Sequence, residues 1–135
     1  MSWRDALVRI STYDVDELRK RLAVILDRRA DLEMKLVMLA AEAEAEMRHA
    51  DLDAELRVYR AGFLAGVKVR RERIEAEVEL VRHEEAGARD ALNQAFEAQK
   101  KFERVAEIAR IAEVKQATRV ETAEMDELGL RRRLG

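Results

Sequence analysis

From Leu18 the apolar residues advance along the chain in alternating steps of four and three: Leu18, Leu22, Ile25, then Leu32, Leu36, Leu39 and Ala43, with Arg29 as the polar member. A stripe with a mean period of 3.5 residues suits a helix wound against another helix and suits neither a strand nor the core of an ordinary globule. A second ladder keeps the same steps for longer, through Ile74, Val78, Val81, Glu85, Ala88, Leu92, Ala95, Gln99, Phe102, Ala106 and Ala109. Composition agrees: 40 % of the 135 residues are charged, 4 % are aromatic, proline is absent and there are five glycines. Such a chain buries one narrow stripe and solvates the rest, so its stability comes from length. The expected fold is all-α, two long helices forming an antiparallel coiled-coil hairpin.

Between the ladders the phase is lost near Glu46, and Gly62 and Gly66 bracket Phe63 and Leu64. The spacing predicts a first arm over about 14–58, a reversal at 58–67, a second arm over about 67–128 and a short tail at 129–135. Facing positions across such a turn have a constant index sum: 128 for Leu22 with Ala106, Arg29 with Gln99 and Leu36 with Leu92. The interleaved layers, such as Ile25 with Phe102 and Leu32 with Ala95, give 127. Large then meets small and polar meets polar. A slip by whole heptads fits the same ladders, and one feature favours an earlier second helix. Lys68, Arg70, Arg71 and Arg73 would otherwise crowd a helix N-terminus, where the macrodipole disfavours cations. Asp51 or Asp53 could then cap it, with Glu55 in its first turn. At the front, Ser11, Thr12 and Asp14 are candidate caps, Asp14 with Glu17 has capping-box spacing, and the alternative is a helix running on from Trp3. Gly129 is the expected stop of the second helix.

Functional chemistry is sparse. His49 and His83 sit beside the ladders among carboxylates, as solvated flank residues do, and no metal site is expected. The serines are Ser2 and Ser11, neither with a histidine nearby in sequence, so no nucleophile and base pair is visible. No phosphate-cradling glycine loop occurs. Neither a catalytic nor a cofactor-binding residue is assigned, and an enzyme is not expected. The net charge of −2 gives no general attraction to nucleic acid. The basic run Lys68 to Arg73 is balanced by Glu72, Glu75, Glu77 and Glu79. The chain has no cysteine, no window apolar enough to span a membrane, and a Met1 to Ile10 start without signal-peptide order, so a cytoplasmic location is the expectation. Tyr59, Phe63, Leu64 and Val67 fall at the expected tip, either as a cap closing the seam or as a docking patch. Trp3 and Tyr13 pose the same choice at the other end. Arg131, Arg132 and Arg133 read as a frayed tail, as favourable charge at a helix C-terminus, or as an arm for an acidic partner.

The order of these features resembles the FliJ family of flagellar export proteins, related to type III secretion stalk proteins of the YscO kind. The match runs nearly end to end. It is carried by Leu7-Val8-Arg9-Ile10, by Val15-Asp16-Glu17-Leu18-Arg19-Lys20-Arg21-Leu22, and by the alanine- and glutamate-rich first arm. Tyr59, Phe63 and Leu64 follow, then Phe96, Lys100, Lys101 and Glu103, then the closing Glu124-Met125-Asp126-Glu127-Leu128. The chain departs from the family pattern in having no glycine- or serine-rich loop before Tyr59. The resemblance implies a coiled coil similar to the shaft of rotary ATPases. It implies three partners: a hexameric flagellar export ATPase at the paired termini, the cytoplasmic part of the membrane export gate at the tip, and export chaperones. The residues so implied are Val15, Leu18, Leu22, Arg131, Arg132 and Arg133 for the ATPase, and Tyr59, Phe63, Leu64 and Val67 for the gate. Membrane contact would come only through partners, at the cytoplasmic face of the flagellar basal body. The rival reading is an unrelated coiled-coil tether, a homodimer whose helices find their seam in a second chain.

Overall fold

A computed structural model describes residues 2–49 and 54–134. They form two helices, α1 (Trp3–His49) and α2 (Ala54–Leu134). The chain divides into a terminal unit, Met1–Glu17 with Asn93–Gly135, and a central unit, Leu18–Leu92. In each, a stretch of α1 lies antiparallel to a stretch of α2. Each seam is therefore closed within one chain, and the all-α, two-helix reading of the ladders holds.

In the central unit the buried cluster is Leu22, Ile25, Leu32, Val78, Val81 and Ala88, with Leu26, Leu36, Ile74 and Leu92 packed against it. All but Leu26, which flanks the seam at e, are ladder residues, now in seam positions a and d of a heptad, with Leu22, Arg29, Leu36, Val78, Glu85 and Leu92 at a. One layer is ionic. Arg29 Nη1 donates to Glu85 Oε1 at 2.8 Å and Oε2 at 2.7 Å, and Arg89 Nη2 reaches Oε1 at 3.4 Å. Arg28 Nη1 pairs with Glu84 Oε2 at 2.8 Å beside it.

That layer corrects the register. Arg29 against Glu85 gives an index sum of 114, and with it Leu32 faces Val81 and Leu39 faces Ile74 at 113, two heptads from the expected 127 and 128. In the expected register Arg29 would meet Gln99 while Glu85 faced Ala43. A slip of one heptad from the observed register would set Arg29 against Leu92 or Val78. A seam carboxylate this enclosed needs a cation, so matching the two charges selects one register from those the apolar ladders allow.

The boundaries also differ from expectation. Residues 58–67 are helical, not a reversal, and α1 ends at His49 rather than near 58. Gly62 and Gly66 lie within α2, and no residue among those described has a positive φ. Their cost, about 1 kcal/mol each against alanine, is absorbed by a long helix whose next seam residue, Val67, is buried. The basic run Lys68 to Arg73 thus sits several turns inside α2, away from its N-terminus. The candidate caps Asp51 and Asp53 lie outside the described residues. Arg60 Nη2 donates to the carbonyl of Met47 at 2.7 Å, satisfying an orphan acceptor in the last turn of α1.

At its other end α1 begins at Trp3, and Ser2 is the cap. Its Oγ accepts from the Asp5 N–H at 3.4 Å and donates to Asp5 Oδ2 at 3.2 Å. Ser11 and Thr12 are not caps: both hydroxyls donate back to the Val8 carbonyl, at 2.7 and 2.9 Å, inside a continuing helix. Asp14 and Glu17 lie in that interior too. Gly129 stops nothing, because α2 continues to Leu134 and places Arg131, Arg132 and Arg133 in its last turn, where the macrodipole favours cations.

Candidate functional site

In the terminal unit the seam is built from smaller and more polar groups. Ser11 and Val15 are each 2 % exposed. Gln99 Nε2 donates to Thr12 Oγ1 at 3.2 Å, and Arg4 Nη2 pairs with Glu113 Oε2 at 2.8 Å. Here Val8 and Ala106 line one groove, and the five ladder residues of α2, Ala95, Gln99, Phe102, Ala106 and Ala109, are only half-buried. With Trp3 level with residues 110 and 111, α1 has no turn left to cover the remainder of α2. Every described residue of α2 from 111 to 134 is exposed. Ile111, Val114, Val120, Met125, Leu128, Leu130 and Leu134 are large apolar groups among them.

In an antiparallel pair, flanks of the same heptad letter adjoin, so the seam has an e side and a g side. Arg28 and Glu84, both g, meet in the central unit. In the terminal unit the e side forms a groove with Arg4, Asp5, Val8, Glu103, Ala106 and Arg110. Its g side is different in kind. Leu7 and Val105 occupy g, Trp3, Ile10 and Ile108 the neighbouring c, and Ile111 the f beyond. Trp3 is 59 %, Ile10 59 % and Ile108 58 % exposed. Sequence reasoning singles out Trp3 and Tyr13 as rings but misses this face. The signal is present in the chain: apolar residues stand off the ladder at c and g, where a seam has no use for them.

The expected site residues distribute unevenly. Val15 is enclosed by its own seam in the terminal unit, and Leu22 is a core residue of the central unit with Leu18 half-buried on the same stripe. Arg131, Arg132 and Arg133 are exposed on the last turn, where Arg131 Nη2 pairs with Glu127 Oε1 at 3.0 Å. Tyr59 is 62 % exposed in the second turn of α2, Phe63 and Leu64 are half-buried, and Val67 belongs to the seam at 5 %. Tyr59 and Phe63, four apart on one helix, share a face. His83 is exposed with its Nε2 3.9 Å from Glu79 Oε1, while the side chain of His49 lies outside the described residues.

Among the described residues, titration is perturbed at one exposed pair. Arg110 donates to Glu107 at 2.7 and 3.1 Å, and that hydrogen bond, then its charge, lowers the Glu107 carboxyl below its ordinary value while the Arg110 guanidinium is raised in turn. Among the described residues no helix is long and apolar enough to cross a membrane, and no three acidic, histidine or cysteine side chains cluster to hold a metal.

Two proteins of Caulobacter vibrioides, from strains NA1000 / CB15N and ATCC 19089 / CIP 103742 / CB 15, are each 47 % identical to this chain over 130 residues. Each alignment covers 96 % of this chain and 94 % of the relative, and each relative bears the name Flagellar FliJ protein. No family model matches the chain. Nor does any solved structure match it significantly.

Proposed function

We propose, from the fact that the chain belongs to the FliJ family of flagellar proteins, that it is a non-enzymatic stalk of flagellar protein export. In this reading its paired termini engage a hexameric export ATPase, and the start of α2 engages the cytoplasmic part of the export gate. Export chaperones dock along the helices. It works in the cytoplasm at the base of the flagellum and reaches the membrane only through these partners.

The observation that carries the reading is the uncovered end of α2. The last 24 residues of α2 bury no side chain, so they lack the tertiary packing from which most helical stability in proteins comes. A segment that keeps exposed Ile111, Val114, Met125 and Leu128 and ends in three arginines is suited to ordering against another protein. A shaft that meets six similar subunits in turn needs modest, spread contacts, and interspersed apolar and charged groups supply them. Nucleotide turnover stays on the partner; this chain supplies contact and no chemistry.

The test is steady-state ATP hydrolysis by the cognate export ATPase, across a salt series, with the full chain and with a chain ending at Gln116. The full chain should stimulate, less so at high salt as exposed charge contacts are screened. The shortened chain should not. Full stimulation by the shortened chain would remove the end of α2 from the interface and with it the stalk reading.

A further inference from the structure

The g side of the terminal unit supports an inference independent of the export reading. We propose that the face formed by Trp3, Leu7, Ile10, Val105, Ile108 and Ile111 is a self-association surface, covered by the same face of a second copy of this chain. Four of these side chains are between 46 % and 59 % exposed, and Ile111 is 41 %. Together they leave roughly 600 Å² of largely apolar surface in water, more than scattered exposed residues account for.

Three observations point to a second copy. The first is area. Two such faces would bury roughly 1,200 Å² in total, the lower end of specific interfaces, which fits a weak and concentration-dependent dimer. The second is helix order. A two-fold axis parallel to the helices lays α1 of one copy over α2 of the other, so every neighbouring pair in the resulting four-helix bundle is antiparallel, as in up-and-down bundles. In that arrangement Trp3 meets Ile111 and Ile10 meets Val105 of the other copy. The third is charge. The same level rule sets Asp14, at g of α1, beside Lys101, at c of α2 in the other copy, and the symmetry repeats the pair at the far edge. The apolar stripe is thereby closed at one end by two opposite-charge contacts rather than by like charges.

Sedimentation velocity on the full chain, from about 5 to about 500 µM, tests this. The wild type should pass from monomer to dimer within that range. Ile10→Glu with Ile108→Glu, and the milder Ile10→Ser with Ile108→Ser, should stay monomeric throughout, with circular dichroism equal to the wild type because both residues are exposed. Met125→Glu with Leu128→Glu, on the uncovered end of α2, should associate as the wild type does. Asp14→Lys alone should weaken association at least several-fold, and adding Lys101→Glu should restore it. A wild type that remains monomeric at the top of the range overturns the proposal. So does dimerisation of both isoleucine variants, or its loss on substitution of Met125 and Leu128.

Discussion

The central and terminal units use one seam geometry and fill it in opposite ways. In the central unit the seam holds Leu22, Ile25, Leu32, Val78 and Val81, and the adjoining g flanks carry Arg28, Lys35, Glu77 and Glu84. In the terminal unit Ser11, Gln99 and Arg4 enter the seam, while Leu7, Ile10, Val105 and Ile108 take the flank. Charged g flanks close the central seam, although Val24, Met38 and Leu80 at c stay exposed there; apolar g flanks in the terminal unit leave a continuous face uncovered. The fully buried apolar cluster and the uncovered g-side face thus fall in separate stretches of the same two helices.

The largest effects should separate the units by truncating one residue of each kind. Leu32→Ala empties a seam position that is 9 % exposed and should cost about 2–4 kcal/mol in urea unfolding. Ile108→Ala deletes a comparable apolar volume from a side chain that is 58 % exposed, and should change stability by no more than about 0.5 kcal/mol. Equal losses at the two sites, measured at a concentration low enough for the chain to be monomeric, would mean that the terminal flank is packed within its own chain, and the contrast between the units would fail.

A smaller effect, of opposite sign, belongs to the central unit. A Cβ added at Gly66 meets nothing within 4 Å, and the residue is helical without positive φ. Gly66→Ala should therefore stabilise by about 0.5–1 kcal/mol, through helix propensity and a less free unfolded chain. Were the chain to reverse at 58–67, alanine there would be neutral or harmful, so the thermal shift of this one variant discriminates between the two boundaries.

The class of fold and the seam residues are legible because a 3.5-residue period is a local property of sequence; every residue of the buried central cluster stands on one of the two ladders. Register is legible only in part. Heptad ladders repeat, and their apolar steps are satisfied after any slip by sevens, so the choice rests on where the charges fall. Arg29 and Glu85 both stand out as polar members, but large-to-small matching of the ladders pairs them with Gln99 and Ala43 rather than with each other. The boundaries fail for a different reason. Glycine and hydroxyl residues suggest punctuation at Gly62, Gly66, Gly129, Ser11 and Thr12, yet long helices with tertiary support carry such residues at modest cost. The g-side face escapes a reading of the ladders because that reading treats every other apolar residue as noise.

The smallest effect concerns charge at the edge of the terminal unit. Glu107 and Arg110 are exposed, and their hydrogen bonds hold the Glu107 carboxyl below its ordinary value. A carboxyl whose folded value is depressed adds stability above its unfolded value and loses it as pH falls through the folded one. The sign is thus a slight loss on acidification, confined to the carboxylate range and lower. Solvent screens a pair this open, so denaturation of Glu107→Gln should be indistinguishable from the wild type at neutral pH. The pair is better read directly, by following the Glu107 side-chain carbonyl carbon by NMR through an acid titration. In the wild type it should titrate below a typical glutamate, and in Arg110→Gln it should return to the ordinary range. The enclosed Glu85, with Arg29 and Arg89 around it, provides the contrast, since Glu85→Ala uncovers Arg29 inside the seam and should be felt in urea unfolding at neutral pH, where Glu107→Gln is not. A Glu107 curve unmoved by loss of Arg110 would show that the pair does not persist in solution, and charge at the terminal flank would then be free to serve a partner instead.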